Sequence, residues 1–325
     1  MLIRQPEKTV VNWHSDTSCW HDFKLRSGDI VVVTPPKCGT TWVQRILDML
    51  LNRSTEQRQF TMSQPWLDAY FVPKDMVLPA LDASVERRSL KSHAPLTALP
   101  LHDDVLYINV ARDPKDACMS YHDHTTAYTA KTLSELDQRG REIPELGAPY
   151  PRASTDARAF FRRWLGDPDY APFDDYTAHE MFELERSFWT ERHRPNVLMV
   201  HYNDLKADRA GEMRRIADFI GVEIDEALWS EMVEAAGFEA MKAGGEAMLP
   251  NVAEAFEGGA QRFINKGTND RWKGVLTKQD LADYEALLGR EATPDLAEWM
   301  TNGRLEAGDP TPCETLVAGG RSTKC

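Results

Sequence analysis

The segment DIVVVTPPKCGTTWVQRIL, residues 29–47, constrains the fold of this chain more than any other stretch. Ile30, Val31, Val32 and Val33 form an unbroken β-branched run, the pattern of a parallel strand buried on both faces. The period then changes. Trp42, Val43, Ile46, Leu47 and Leu50 recur at spacings of three and four and draw an apolar stripe along a helix, with Thr40 or Thr41 expected to cap its first turn. In the connection, Pro35 and Pro36 stiffen the entry, Gly39 permits a tight turn and Lys37 supplies a full charge. A strand that turns sharply into a helix aims backbone N–H groups and the positive helix end at one spot, so the segment predicts an anion cradle. The predicted fold is α/β, a single domain whose central, mostly parallel sheet is flanked by helices and carries a P-loop-like turn.

With 325 residues, 42% hydrophobic and 27% charged, the chain can bury one large core. A net charge of -13 argues against general affinity for nucleic acid or anionic membrane, while a local basic pocket remains compatible with a small polyanion. The opening MLIRQPEKTVVNWHSD lacks the apolar core of a signal peptide, and no run approaches the roughly 20 apolar residues of a membrane span. The protein is therefore expected to be cytoplasmic. Cys19, Cys38, Cys118, Cys313 and Cys325 show neither a C-x-x-C pair nor metal-ligand spacing and are expected to be free thiols. Residues 301–325 are polar and glycine-rich and read as a flexible tail beyond a domain spanning 1–300.

Further along, RRSLKSHAPLTALP predicts a strand that brings Lys91 and His93 to one side, since residues two apart on an extended chain share a face. VLYINVAR predicts a strand ending at Arg112, at the edge where open parallel sheets hold ligands. Asp113 and Pro114 suit the start of a helix in which Ser120 lies about two turns in. Residues 128–176 have weak periodicity and read as a loop-rich insertion, a candidate lid over a substrate. A helix over 178–193, a strand over 196–202 and a helix over 211–222 follow.

The turn P-K-C-G-T-T-W lacks the ATP-type order G-x-x-x-x-G-K-[ST], because its lysine precedes its only glycine. It resembles the 5′-phosphosulfate loop P-K-[ST]-G-T-T-W of cytosolic sulfotransferases. K-S-H-A-P is similar to that family's K-[TS]-H-L-P, and RDPKDACMS to its R-[ND]-x-K-D-x-x-x-S. In QRFINKGTNDRWKGVLT, Lys266, Gly267, Trp272, Lys273 and Thr277 match R-K-G-x-x-G-D-W-K-x-x-[FL]-[TS], but Asn265 replaces the arginine and Asp270-Arg271 replaces Gly-Asp. The four motifs stand in the family's order across roughly residues 25–290. The family's C-terminal dimer motif is missing from the tail, so the resemblance implies no dimer of that type and the oligomeric state stays open.

The resemblance implies a donor, 3′-phosphoadenosine 5′-phosphosulfate (PAPS), a product, 3′-phosphoadenosine 5′-phosphate (PAP), and no metal. Its loop residues Lys37, Cys38, Gly39, Thr40 and Thr41 would hold the phosphosulfate; Arg112, Ser120, Lys266 and Gly267 the 3′-phosphate; Trp42, Tyr202 and Phe238 the adenine. Arg262 or Arg271 would have to compensate for Asn265. His93 would take the proton of a small-molecule hydroxyl or amine acceptor, Lys37 would neutralise the leaving oxygen and Lys91 would support the sulfuryl oxygens. Two other readings stay open from the residues. A P-loop kinase would need an acidic strand end where Arg112 stands, and a non-catalytic nucleotide-binding protein would not need His93.

Overall fold

A computed structural model describes residues 1–169 and 176–310. Its strands are β1 (Leu2–Arg4), β2 (Ile30–Val33), β3 (Ser89–Ser92), β4 (Leu101–His102), β5 (Leu106–Ala111) and β6 (Val197–His201). β3, β2, β5 and β6 lie side by side in that order, all parallel, while β1 and β4 form a small antiparallel pair.

The β-branched run behaves as its composition demands: Ile30, Val31, Val32 and Val33 are all fully buried. Val31 and Val33 join a core with Leu90, Phe182, Phe188 and Trp164 on one face of the sheet. Ile30 and Val32 join another with Val43, Ile46, Leu47 and Ile216 on the opposite face. Each such side chain contributes about 1.5–3 kcal/mol through burial, so a charged residue at either parity would break one of the two layers. At the amino ends of β2 and β3, Arg88 Nε donates to Asp29 Oδ1 at 2.9 Å inside the protein.

From β2 the chain crosses to β3 on one side, and β5 returns to its other side. This reversal opens a crevice at the carboxyl ends, where a doubly wound sheet places its ligand.

Three sequence expectations change. The helix Thr40–Asn52 is entered through Gly39 at φ 111°, with no side-chain cap. Thr40 instead shares a 2.5 Å hydrogen bond with Thr34 through their hydroxyls, which leaves the helix start open. The 128–176 insertion is not loop-rich throughout: Ala130–Glu142 and Ala157–Trp164 are helices capped by Thr129 and Asp156, and Phe160, Phe161 and Trp164 are buried in the main core. The first part of the expected tail, residues 301–310, is folded against the body: Arg304 pairs with the buried Glu212 and its backbone N–H donates to Asp204 at 2.7 Å. The rest of the tail, with Cys313 and Cys325, lies outside the described residues, as does 170–175 of the insertion. Cys19, Cys38 and Cys118 are free. Among the described residues no helix is long and apolar enough to cross a membrane.

Candidate active site

Each of the four parallel strands is followed, at the same edge, by a residue that the sequence motifs single out. Lys37 follows β2, His93 follows β3, Arg112 follows β5 and Tyr202 follows β6. Lys37 at φ 70° and Gly39 at φ 111° curl the loop tightly. At Gly39 a Cβ would stand 3.1 Å from the Tyr202 ring, so loop and ring approach only because that side chain is absent.

A cavity of about 290 Å³ opens beside this loop. Lys37, Gly39, Thr40, Thr41, Trp42, Arg112, Tyr202, Phe238, Lys266 and Gly267, all singled out by the resemblance, line it together. Trp42 is locked by its Nε1 donating to the Ala236 carbonyl at 2.8 Å, and it meets Tyr202 edge to face at 5.5 Å. Gly267, at φ 61°, backs directly onto the Phe238 ring. The wall carries five cationic side chains, Lys37, Arg112, Lys206, Arg209 and Lys266, and no carboxylate among the described residues. On a chain of net charge -13 this concentration of one sign fits a ligand with several negative charges.

Cys38, Ser120 and Lys91, also expected at the site, are not among the residues that line this cavity. Cys38 is fully buried beneath the loop, its thiol held in the protonated form by burial first and by Glu185 next. Its backbone N–H donates to the Pro35 carbonyl at 3.4 Å. Ser120 is half-buried on the helix Pro114–Thr125, outside the residues that line the cavity.

A second, smaller cavity of about 110 Å³ adjoins the first, since Pro35 and Pro36 line it and Lys37 lines the other. His93, Tyr121, Trp164 and Tyr176 form its walls, with Lys8, Asn12 and Ser15 of the N-terminal segment. His93 Nδ1 donates to the Thr34 carbonyl at 2.6 Å. A carbonyl only accepts, so the ring's lone pair resides on Nε2. Burial, then the charge of Lys91, hold the ring well below its usual pKa, so it is a neutral base at neutral pH. Trp66 meets this ring edge to face at 4.6 Å and also receives the Lys91 ammonium over its face at 4.6 Å.

Burial and the neighbouring charges of Arg112 and Lys91 lower Lys37 to about 7, and burial lowers Lys91 to about 8. Lys37 Nζ lies 3.4 Å from His124 Nδ1 and over the Phe263 ring at 4.6 Å. His124, in the segment SYHDH, lies beside this lysine, in surroundings that local sequence did not reveal. It sits among Tyr121, Tyr128, Phe256 and Phe263, and the last two come from more than 130 positions away. Lys206 had a legible signal: it follows Tyr202 by four on one helix, hence on one face.

The sulfotransferase domain family matches residues 27–300. The chain is 30% identical over 303 residues to a glycolipid sulfotransferase of Mycobacterium bovis, covering 89% of this chain and 93% of the relative. Human sulfotransferase 1C2 is 25% identical, covering 87% and 88%. In fold, the chain resembles mouse sulfotransferase SULT7A1 complexed with PAP, with a TM-score of 0.62, 19% identity and coverage of 86% and 90%. A retinol dehydratase complexed with androsterone and PAP gives 0.61, 20%, 86% and 84%. Four motifs meeting at one sheet edge, around a cationic cavity beside a buried neutral histidine, agree with a family match over most of the chain: this protein belongs to the sulfotransferase family.

Proposed function

We propose that this sulfotransferase moves the sulfuryl group of PAPS to a hydroxyl of a small-molecule acceptor, with His93 as the base. The observation that carries the reading is the wall between the two cavities: Lys37 faces the cationic one and His93 the smaller one, joined through Thr34 and the two prolines. PAPS supplies an activated sulfuryl group on a phosphate leaving group, so the protein's work is positioning and charge stabilisation.

Nε2 of His93 accepts the acceptor's proton as its oxygen attacks sulfur. Lys37 and the open helix start at Thr40 and Thr41 stabilise the charge that grows on the leaving phosphate. Lys91, which lines neither cavity, acts through its charge on His93, while Trp42, Tyr202 and Phe238 enclose the adenine. An amine with a free lone pair satisfies the same geometry.

Tyr128 and Tyr176, at the two ends of the insertion, meet His124, His14 and His93 by ring contacts, which supports the insertion as the acceptor's cover. The acceptor names of the relatives make a glycolipid hydroxyl the first to assay.

The test has two steps. PAP is expected to raise the melting temperature well above the shift given by ATP with Mg²⁺, since a ligand at a hundred times its Kd stabilises by about 2.7 kcal/mol. Equal shifts would remove the reading. A panel of acceptors incubated with PAPS and read by mass then identifies the product that gains a sulfuryl group.

A further inference from the structure

The family pattern places an arginine where this chain has Asn265, and the two nearby arginines do not replace it. Arg271 is ion-paired to Asp123, and Arg262 NH2 lies 3.7 Å from the same carboxylate. Asn265 Nδ2 also donates to Asp123, at 2.6 Å. All three side chains thus tie one loop to the helix Pro114–Thr125, and neither arginine lines the cavity. Ser120, the other expected partner of the 3′-phosphate, stands outside the wall as well.

Two cations that the motifs do not include stand there instead. Lys206 lies at the mouth, its Nζ donating to the Gly267 carbonyl at 3.0 Å. Its pKa is lowered by burial and then by the neighbouring charge of Arg112, which outweigh the more weakly acting carboxylates of Asp116 and Asp270. Arg209 opens the next helix, and its Nε is buried without a hydrogen-bond partner. Arg112 completes the group: its guanidinium lies over the Tyr202 ring at 4.2 Å, and its own Nε is also buried without a partner. Cationic donors with unmet hydrogen-bonding capacity on one carboxylate-free wall form a subsite for a phosphate.

We propose that Lys206 and Arg209, together with Arg112, bind the 3′-phosphate of the donor and take over the role of the arginine that Asn265 replaces. The assignment rests on the donor reading above. It makes the selectivity for a 3′-phosphorylated nucleotide depend on a helix pair after β6 acting with Arg112, in place of an arginine at residue 265.

The experiment compares calorimetric binding of PAP with that of adenosine 5′-phosphate, which differs only by the 3′-phosphate. The Lys206→Ala/Arg209→Ala double variant is expected to lose about tenfold or more in PAP affinity and to keep adenosine 5′-phosphate within about twofold. Arg262→Ala and Arg271→Ala should leave the ratio of the two affinities as in the wild type. An unchanged ratio in the double variant, or a collapse of the ratio in either arginine variant, overturns the assignment while the donor reading stands. A wild-type protein that binds neither nucleotide removes the donor reading, and this assignment with it.

Discussion

The Nδ1 proton of His93 is held by the Thr34 carbonyl at 2.6 Å, so the lone pair of Nε2 is committed to whatever enters the smaller cavity. The contact selects a tautomer, and burial keeps the ring uncharged. Together they make a base ready at neutral pH without a carboxylate behind it.

His93→Ala should therefore lower turnover by roughly 10²–10⁴-fold while PAP affinity stays close to wild type. Because the ring's pKa lies well below 6.5, the acid limb of kcat/KM should appear only below that pH. His122 is the control: its Nε2 donates to the Ser154 carbonyl at 2.9 Å, so His122→Ala should lower the melting temperature and leave kcat near wild type. A folded His93→Ala enzyme with wild-type turnover would eliminate the proposed base.

Lys37 predicts a proton-linked donor affinity. With a pKa of about 7 in the free protein, it is largely protonated below pH 7 and loses its charge above it. A bound polyanion favours the ammonium, so binding takes up a proton, and PAP affinity should fall as pH rises beyond about 7, by at most tenfold per unit from this group. Calorimetry at pH 7.5 in buffers of different ionisation enthalpy measures the uptake. Lys37→Arg, always charged, should remove the part of this dependence that Lys37 carries and leave only what Lys91, at about 8, contributes; equal apparent enthalpies in all buffers for the wild type would contradict it.

Gly267 couples backbone shape to the nucleotide wall. A Cβ there would stand 2.6 Å from the Phe238 ring on a backbone at φ 61°. Gly267→Ala should cost about 1–2 kcal/mol of stability from the left-handed conformation and, by displacing Phe238, shrink the melting shift given by PAP. A variant whose PAP affinity matches the wild type would show that the ring does not form part of the site.

Glu185 predicts a stability that depends on pH. It is fully buried, neither oxygen makes a hydrogen bond of good geometry, and burial, opposed only by the nearby Asn109 side chain, raises its pKa to about 8. The folded state then holds a proton that the unfolded chain releases near 4.5, so stability falls as pH rises from about 4.5 to 8. Glu185→Gln keeps a neutral group of the same size and should add about 2–3 kcal/mol at pH 7. The gain should vanish near pH 4, as denaturant melts at the two values would register. An equal gain at both would place its origin in packing.

Sequence alone determined the pieces whose causes are local. Four consecutive β-branched residues suit a strand buried on both faces, and the stripe from Trp42 to Leu50 has the period of a helix face, so β2, its turn and the following helix stand where the pattern put them. The spacing of R-D-P-K-D likewise set Arg112 at a strand end and Asp113 at a cap, where its side chain accepts from the Lys115 and Asp116 N–H groups. Tertiary structure decided which charges face the cavity. Asp123 draws Arg262 and Arg271 away from the cavity, Lys206 and Arg209 enter it, and Thr34 turns Thr40 away from the capping position. It also assembled the rings around His124 from residues 121, 128, 256 and 263. Period and spacing fix the direction of a side chain relative to its own helix or strand. The partner that a charge finds depends on which distant segments the fold brings within a few ångströms, and no local pattern carries that distance.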